Sequence, residues 1–97
     1  MIWEWDEAKN RSNIRKHGFD FADAEEMFRT VFMVEPDVRD DYGEARWVGL
    51  GMIRGRTAHV VFTQPDDETI RIISLRKATR FEREKYEKTI QNRLETN

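Results

Sequence analysis

Apolar positions recur along this chain in two periods, and the change of period marks its elements. Ile70, Ile72, Ile73 and Leu75 crowd into one short run broken only by Arg71 and Ser74. So dense a β-branched and aliphatic run fits a largely buried strand, central or nearly so, better than an amphipathic helix. Residues 46–53 alternate instead, with Val48, Leu50 and Met52 on one face and Trp47, Gly49, Gly51 and Ile53 on the other. This is a second strand, in which the glycines mark a bulge or the close approach of a neighbour. Residues 30–34, closed by Pro36, form a strand before it, and residues 57–63 form one after the turn Arg54-Gly55-Arg56. Pro65-Asp66-Asp67-Glu68 then turns the chain into 70–75. Connections this short join antiparallel neighbours, so the pattern predicts a four-stranded antiparallel meander.

Helical spacing appears on either side of that block. Asp6 is placed to cap a helix over 7–16, and Gly18 sits where a residue of positive φ ends one. Its apolar stripe is thin, mainly Ala8 and Ile14, while Lys9, Asn13 and Lys16 share a side flanked by Asp6 and His17. That side is either a solvated face or a functional one. Asp20 caps a second short helix through Arg29, with Phe21, Ala24, Met27 and Phe28 as its core positions. Thr79 followed by Glu82 is a capping box that starts a C-terminal helix near Arg80. The expected fold class is α+β: two N-terminal helices, the four-stranded antiparallel meander and a C-terminal helix.

Composition narrows the function classes. Ninety-seven residues supply one modest core, so a single domain over 1–97 is expected, with no cofactor subdomain. The absence of cysteine excludes disulfides, a thiolate zinc site and cysteine nucleophiles. It also agrees with a cytoplasmic address. The chain shows neither a signal-peptide pattern at its start nor a long apolar run, so export and membrane spanning are not expected. No cofactor and no metal are expected; the carboxylates of the acidic segment 35–44 lack the spacing of a calcium loop.

The net charge of −2 conceals an uneven distribution. Lys9, Arg11, Arg15 and Lys16 have no acid among them, residues 20–44 are strongly acidic, and cations return after Ile70. Arg71, Arg76, Lys77, Arg80 and Arg83 gather where the last strand meets the last helix, and an anion there would feel all of them. Any one of them alone reads as a solvated surface charge. Arg80 nevertheless sits in a first helical turn, where a cation opposes the helix dipole.

The order Asp6, Lys9, Asn13, Lys16-His17-Gly18, Phe21 and Ala24, then Ile70-Arg71-Ile72-Ile73-Ser74 with Arg76, Ala78, Glu82-Arg83 and Tyr86, resembles the BrnT family of type II toxins. The resemblance covers nearly the whole chain. It departs at Leu75, where many relatives carry alanine, a change that bears on packing more than on chemistry. It implies a compact ribonuclease related in fold to the RelE toxins. It further implies neutralisation by a BrnA-like antitoxin whose ribbon-helix-helix region binds operator DNA, and a hetero-oligomer with that antitoxin. The acidic segment 35–44 would offer cations of that partner a second contact.

A metal-independent ribonuclease of this kind must deprotonate a 2′-OH, stabilise a phosphorane and protonate the 5′-oxygen. The resemblance and the cation cluster together point to His17, Arg71, Arg76 and Arg80 as catalytic. Lys9, Lys16, Lys77, Arg83 and Tyr86 would then contact RNA. The arginines can hold a phosphate at two points. His17 is either the proton donor or merely a helix cap on a carbonyl, and Tyr86 either stacks a base or anchors its helix. His59, within the run 57–63, reads as a core strand residue. Two rivals stand beside the enzyme: an RNA-binding adaptor, which would bind without cleaving, and a non-catalytic module docking an acidic protein, which would do neither.

Overall fold

The computed structural model describes residues 1–30 and 32–95. Five strands, β1 (Ile2–Glu4), β2 (Met33–Pro36), β3 (Trp47–Ile53), β4 (Arg56–Asp66) and β5 (Thr69–Lys77), form one sheet in the order β1-β5-β4-β3-β2. Its helices are α1 (Glu7–His17), a 3-10 turn at Phe21–Asp23 that runs into α2 (Ala24–Phe28), and α3 (Arg80–Glu95).

This sheet corrects the expectation of four antiparallel strands. β2 to β5 do pair antiparallel in sequence order, but β1 adds a fifth strand parallel to β5, with Ile2 opposite Thr69 and Glu4 opposite Arg71. Short loops forbid parallel pairing only between strands adjacent in sequence, and most of the chain separates β1 from β5. A strand of three residues is also too brief to carry a periodic signal.

Two further boundaries move. The second helix is not continuous to Arg29 but opens as a 3-10 turn, with Asp20 accepting from the Ala22 amide (3.0 Å) and Asp23 accepting from the Asp20 amide (3.2 Å). The first strand is Met33–Pro36 rather than 30–34, so Pro36 ends it from within. Thr30 folds back instead: its hydroxyl donates to the Met27 carbonyl at 2.7 Å and accepts from the Met52 amide at 3.2 Å. Val31, part of the expected strand, lies outside the described residues.

Helices cover both faces of the sheet. Against one face Phe19, Phe21, Ala24 and Met27 pack on Ala58, Val60, Phe62, Ile70, Ile72 and Leu75. On the other, Tyr86 and Ala78 meet Leu50, with Met33, Met52 and Ile90 around them. This double cover explains why β4 is buried without a break from Thr57 to Thr63. The alternation in β3 is as expected, Leu50 and Met52 toward α3 and Ile53 and Trp47 toward α2. Gly49 and Gly51 mark close approach: a Cβ on Gly49 would run into the Phe32 ring.

α1 docks without an apolar stripe. Asp6 caps it through the Lys9 amide (3.0 Å) and Gly18 ends it at φ 75°, but Ala8 and Ile14 are exposed and the buried positions are Asn10 and Asn13. Asn13 Nδ2 donates to the carbonyls of Leu75 (2.7 Å) and Phe19 (3.0 Å), and its Oδ1 accepts from the Leu75 amide (3.3 Å). Because β1 covers β5 only at 69–71, Asn13 supplies the hydrogen bonds that the uncovered edge of β5 would otherwise lack.

Candidate active site

β5 delivers two of the expected site arginines, Arg71 and Arg76, to one face through a bulge. In a regular strand, residues at odd separation such as Arg71 and Arg76 point to opposite sides. Here Val61 lies opposite Ser74 but Phe62 opposite Ile72, which leaves Ile73 as an extra residue. Arg71, opposite Thr63, and Arg76, opposite His59, therefore both stand away from the Ile72 and Leu75 core, on the face where α3 packs.

Arg76 is held there by the start of α3. Its Nη1 and Nη2 donate to Oε1 and Oε2 of Glu82 at 2.8 and 2.9 Å, and Nη1 also donates to the Lys77 carbonyl at 3.1 Å. Glu82 is fixed by the expected capping box: it accepts from the Thr79 amide at 2.8 Å while its own amide donates to the Thr79 hydroxyl at 3.2 Å. The Arg76 hydrogen bonds, followed by the Thr79 amide, outweigh burial and hold the Glu82 carboxyl down at about 2.

His59 completes the group. Its Nε2 lies 3.7 Å from Glu82 Oε2, and its Nδ1 is buried with no hydrogen-bond partner. Burial, and next the Arg76 charge, lower its pKa below the ordinary 6.5, so the ring is neutral at neutral pH. His59 is a buried strand residue as read, only 6 % exposed, but it faces α3 beside two ionised groups rather than the apolar core. Sequence pattern missed it because the pairing that sets His59 opposite Arg76 is not visible in either strand alone. Glu82 was legible only as a cap.

The other expected site residues lie around this cluster to different degrees. Arg80 is exposed in the first turn of α3 and pairs with Glu84 at 3.0 Å; Arg83 pairs with Glu87 at 3.8 Å. Lys77 and Arg83, together with Arg56, line a cleft of about 450 Å³ between the β3–β4 hairpin and α3. Tyr86 lines the same cleft but is 1 % exposed and belongs to the core under α3, so it anchors that helix and offers no free face to a base. Arg71 is turned to Glu4 at 3.4 Å. Lys9, Lys16 and His17 are exposed on α1, which lies along the edge of β5, and no hydrogen bond or ion pair joins them to Arg76. Among the described residues no group of three His, Asp or Glu is placed to hold a metal ion, and no helix is long and apolar enough to cross a membrane.

The acidic segment is a folded loop. Asp37 is buried and accepts from the Arg39 amide, Nε and Nη2 and from the Tyr42 hydroxyl, which holds its carboxyl far below the usual range. The Arg46 guanidinium sits 4.0 Å over the Tyr42 ring. Of the acids in 35–44 only Asp37 is buried; Glu35, paired with Lys85, and Asp40, Asp41 and Glu44 are exposed.

Comparison with known proteins shows the family. Residues 5–82 match the family described as ribonuclease toxin, BrnT, of type II toxin-antitoxin system. That span begins just after β1 and runs from α1 to Glu82 in the first turn of α3. No curated protein sequence matches. Among solved structures, the chain is similar to the crystal structure of the Brucella abortus ribonuclease toxin BrnT, with a TM-score of 0.67 and 34 % identity, over 82 % of this chain and 100 % of that one. The chain therefore belongs to the BrnT ribonuclease toxins of type II toxin–antitoxin systems.

Proposed function

We propose that this chain cleaves RNA by attack of the substrate's own 2′-OH, without a metal, at the cluster of Arg76, Glu82 and His59. The observation that carries the reading is the two-point Arg76–Glu82 pair with a neutral, buried imidazole beside it whose Nδ1 has no hydrogen-bond partner. Neutral His59 takes the 2′-OH proton, the 2′-oxygen forms the new bond to phosphorus, and the bond to the 5′-oxygen breaks, that oxygen leaving with a proton from water. Glu82 is too weakly basic to compete for the proton; it orients Arg76, whose guanidinium carries the charge that develops on the phosphorane. Lys77, Arg80 and Arg83, exposed at the same corner, hold the flanking phosphates.

Of the expected catalytic residues, this reading keeps Arg76 at the reacting phosphate and places Arg80 on a flanking one. It moves His17 and Arg71, with Lys9 and Lys16, to the backbone of the bound strand, and it makes His59 the base rather than His17 the proton donor. Type II toxins imply a protein antitoxin; the reading adds that it is a BrnA-like ribbon-helix-helix protein that covers the basic corner, binds operator DNA and silences cleavage in the cytoplasm. It also keeps the relation in fold to RelE, supported by the antiparallel run of β2 to β5 with helices on both faces. The test is single-turnover cleavage of a short RNA. Arg76→Ala and His59→Ala, each checked for native circular dichroism, should lose on the order of a hundredfold or more in rate. Full activity in both folded variants would overturn the site.

A further inference from the structure

We infer that the cleft beside the Arg76–Glu82 pair is a subsite for one RNA base carrying an exocyclic amino group, an inference that rests on the ribonuclease reading above. The cleft, of about 210 Å³, opens on the α3 side of the sheet and has an apolar floor of Met33, Val48 and Leu50. It is smaller than the roughly 300–1,000 Å³ of pockets that enclose a drug-sized ligand. A single planar ring system suits it, and a whole nucleotide does not.

Its walls are polar in a way that favours a neutral ring over a phosphate. Glu82 and His59 line one side. Glu35 and Lys85, joined at 2.8 Å, bridge β2 to α3 and line the other. Each carboxylate of the lining is already paired with a cation, Glu35 with Lys85 and Glu82 with Arg76, so the walls carry no net charge to draw an anion, while a base edge finds carboxylate oxygens as acceptors. His59, 94 % buried, reaches the cleft lining, and its buried Nδ1 has no hydrogen-bond partner. Phe81 stands at the rim, 76 % exposed, although it belongs to the helix that covers this face. An aromatic ring exposed over a cleft of this width is a stacking platform. Carboxylates accept from amino groups, as in pairing to cytosine N4, and uracil has no such group. Because Glu82 lines the cleft and grips Arg76 at once, a base seated there brings its own phosphodiester to the arginine.

Two uncleavable dinucleotides, 2′-deoxycytidylyl-uridine and 2′-deoxyuridylyl-uridine, are titrated into the isotopically labelled full chain and followed by amide NMR. The cytosine compound should bind several-fold tighter than the uracil one and shift Leu50, His59, Phe81 and Lys85. Phe81→Ala should weaken it about tenfold, and Glu35→Gln should narrow the difference between the two compounds. Equal binding of both, shifts confined to other surfaces, or an unchanged affinity in Phe81→Ala would overturn the subsite. A Phe81→Ala variant that keeps its nucleotide affinity but loses antitoxin binding would overturn it in favour of a protein contact. The same chain assayed on RNA reads the other question: cleavage without a cytosine preference sinks the subsite alone, whereas cytosine-selective binding without cleavage sinks only the ribonuclease reading.

Discussion

At the scale of single residues, Asn13 and Glu82 each do the work of several. Asn13 replaces a missing strand partner at Leu75 and ties the Phe19 carbonyl as well, all inside the protein, so truncation strands buried backbone groups. Asn13→Ala should destabilise the fold by about 2–3 kcal/mol in urea unfolding, and Asn13→Leu should be no better. A loss under a few tenths of a kcal/mol would mean that water replaces the side chain. Glu82 makes stability depend on pH. Its carboxyl is held at about 2 against an ordinary 4.5, so the ionised form stabilises the fold fully above about 4.5 and the contribution fades as pH falls toward 2. His59 adds to the same slope: its folded pKa lies below 6.5, and stability tied to the neutral ring begins to fade as pH falls through 6.5. In Glu82→Gln the unfolding midpoint should be lower than wild type at pH 7, and the gap should close below about pH 4.5. A gap that stays constant with pH would show that the Glu82 charge contributes nothing.

At the scale of elements, what was legible in the sequence is what repeats or caps. The Asp6 and Thr79 caps, Gly18 and the alternation of β3 stand where local chemistry put them. β1 was invisible because three residues gain meaning only from Thr69 to Arg71 far along the chain. The bulge at Ile73 and the facing of His59 on Arg76 are properties of a strand pair, not of a strand. α1 misled because its buried face is amide rather than apolar. The Gly49 reading can be checked by adding one carbon. Gly49→Ala forces the Phe32 ring aside and should cost about 1–3 kcal/mol, read as a lower urea midpoint; a neutral result would mean that the ring moves freely. The 35–44 loop needs a finer test than wholesale charge reversal, because Asp37 is its buried hub. Reversing only the exposed Asp40 and Asp41 to lysine should slow association with the antitoxin, most at low salt, and an unchanged on-rate there removes the loop from the interface.

At the scale of the whole molecule, the sheet separates two tasks. One face, packed by α1 and α2, holds the larger core. The other is covered in part by α3, and along the start of that helix lie His59, Arg76 and two clefts, one lined by His59 and Glu82 and one by Lys77 and Tyr86. The cation cluster at the strand–helix corner was readable from sequence because its members are close in the chain. His59 and the base cleft were not, because they require β2, β4 and α3 to meet. We propose that substrate-derived 2′-OH chemistry runs at this corner without a metal. The most direct measurement compares, in EDTA, one RNA oligonucleotide with its twin bearing a single deoxyribose at the cleaved position. The account predicts that the RNA is cut to a 2′,3′-cyclic phosphate or its hydrolysis product, that the twin is spared at that bond, and that His59→Ala loses cleavage of the RNA. Cleavage of the deoxy twin at the same bond, or abolition of wild-type cleavage by EDTA, would contradict it.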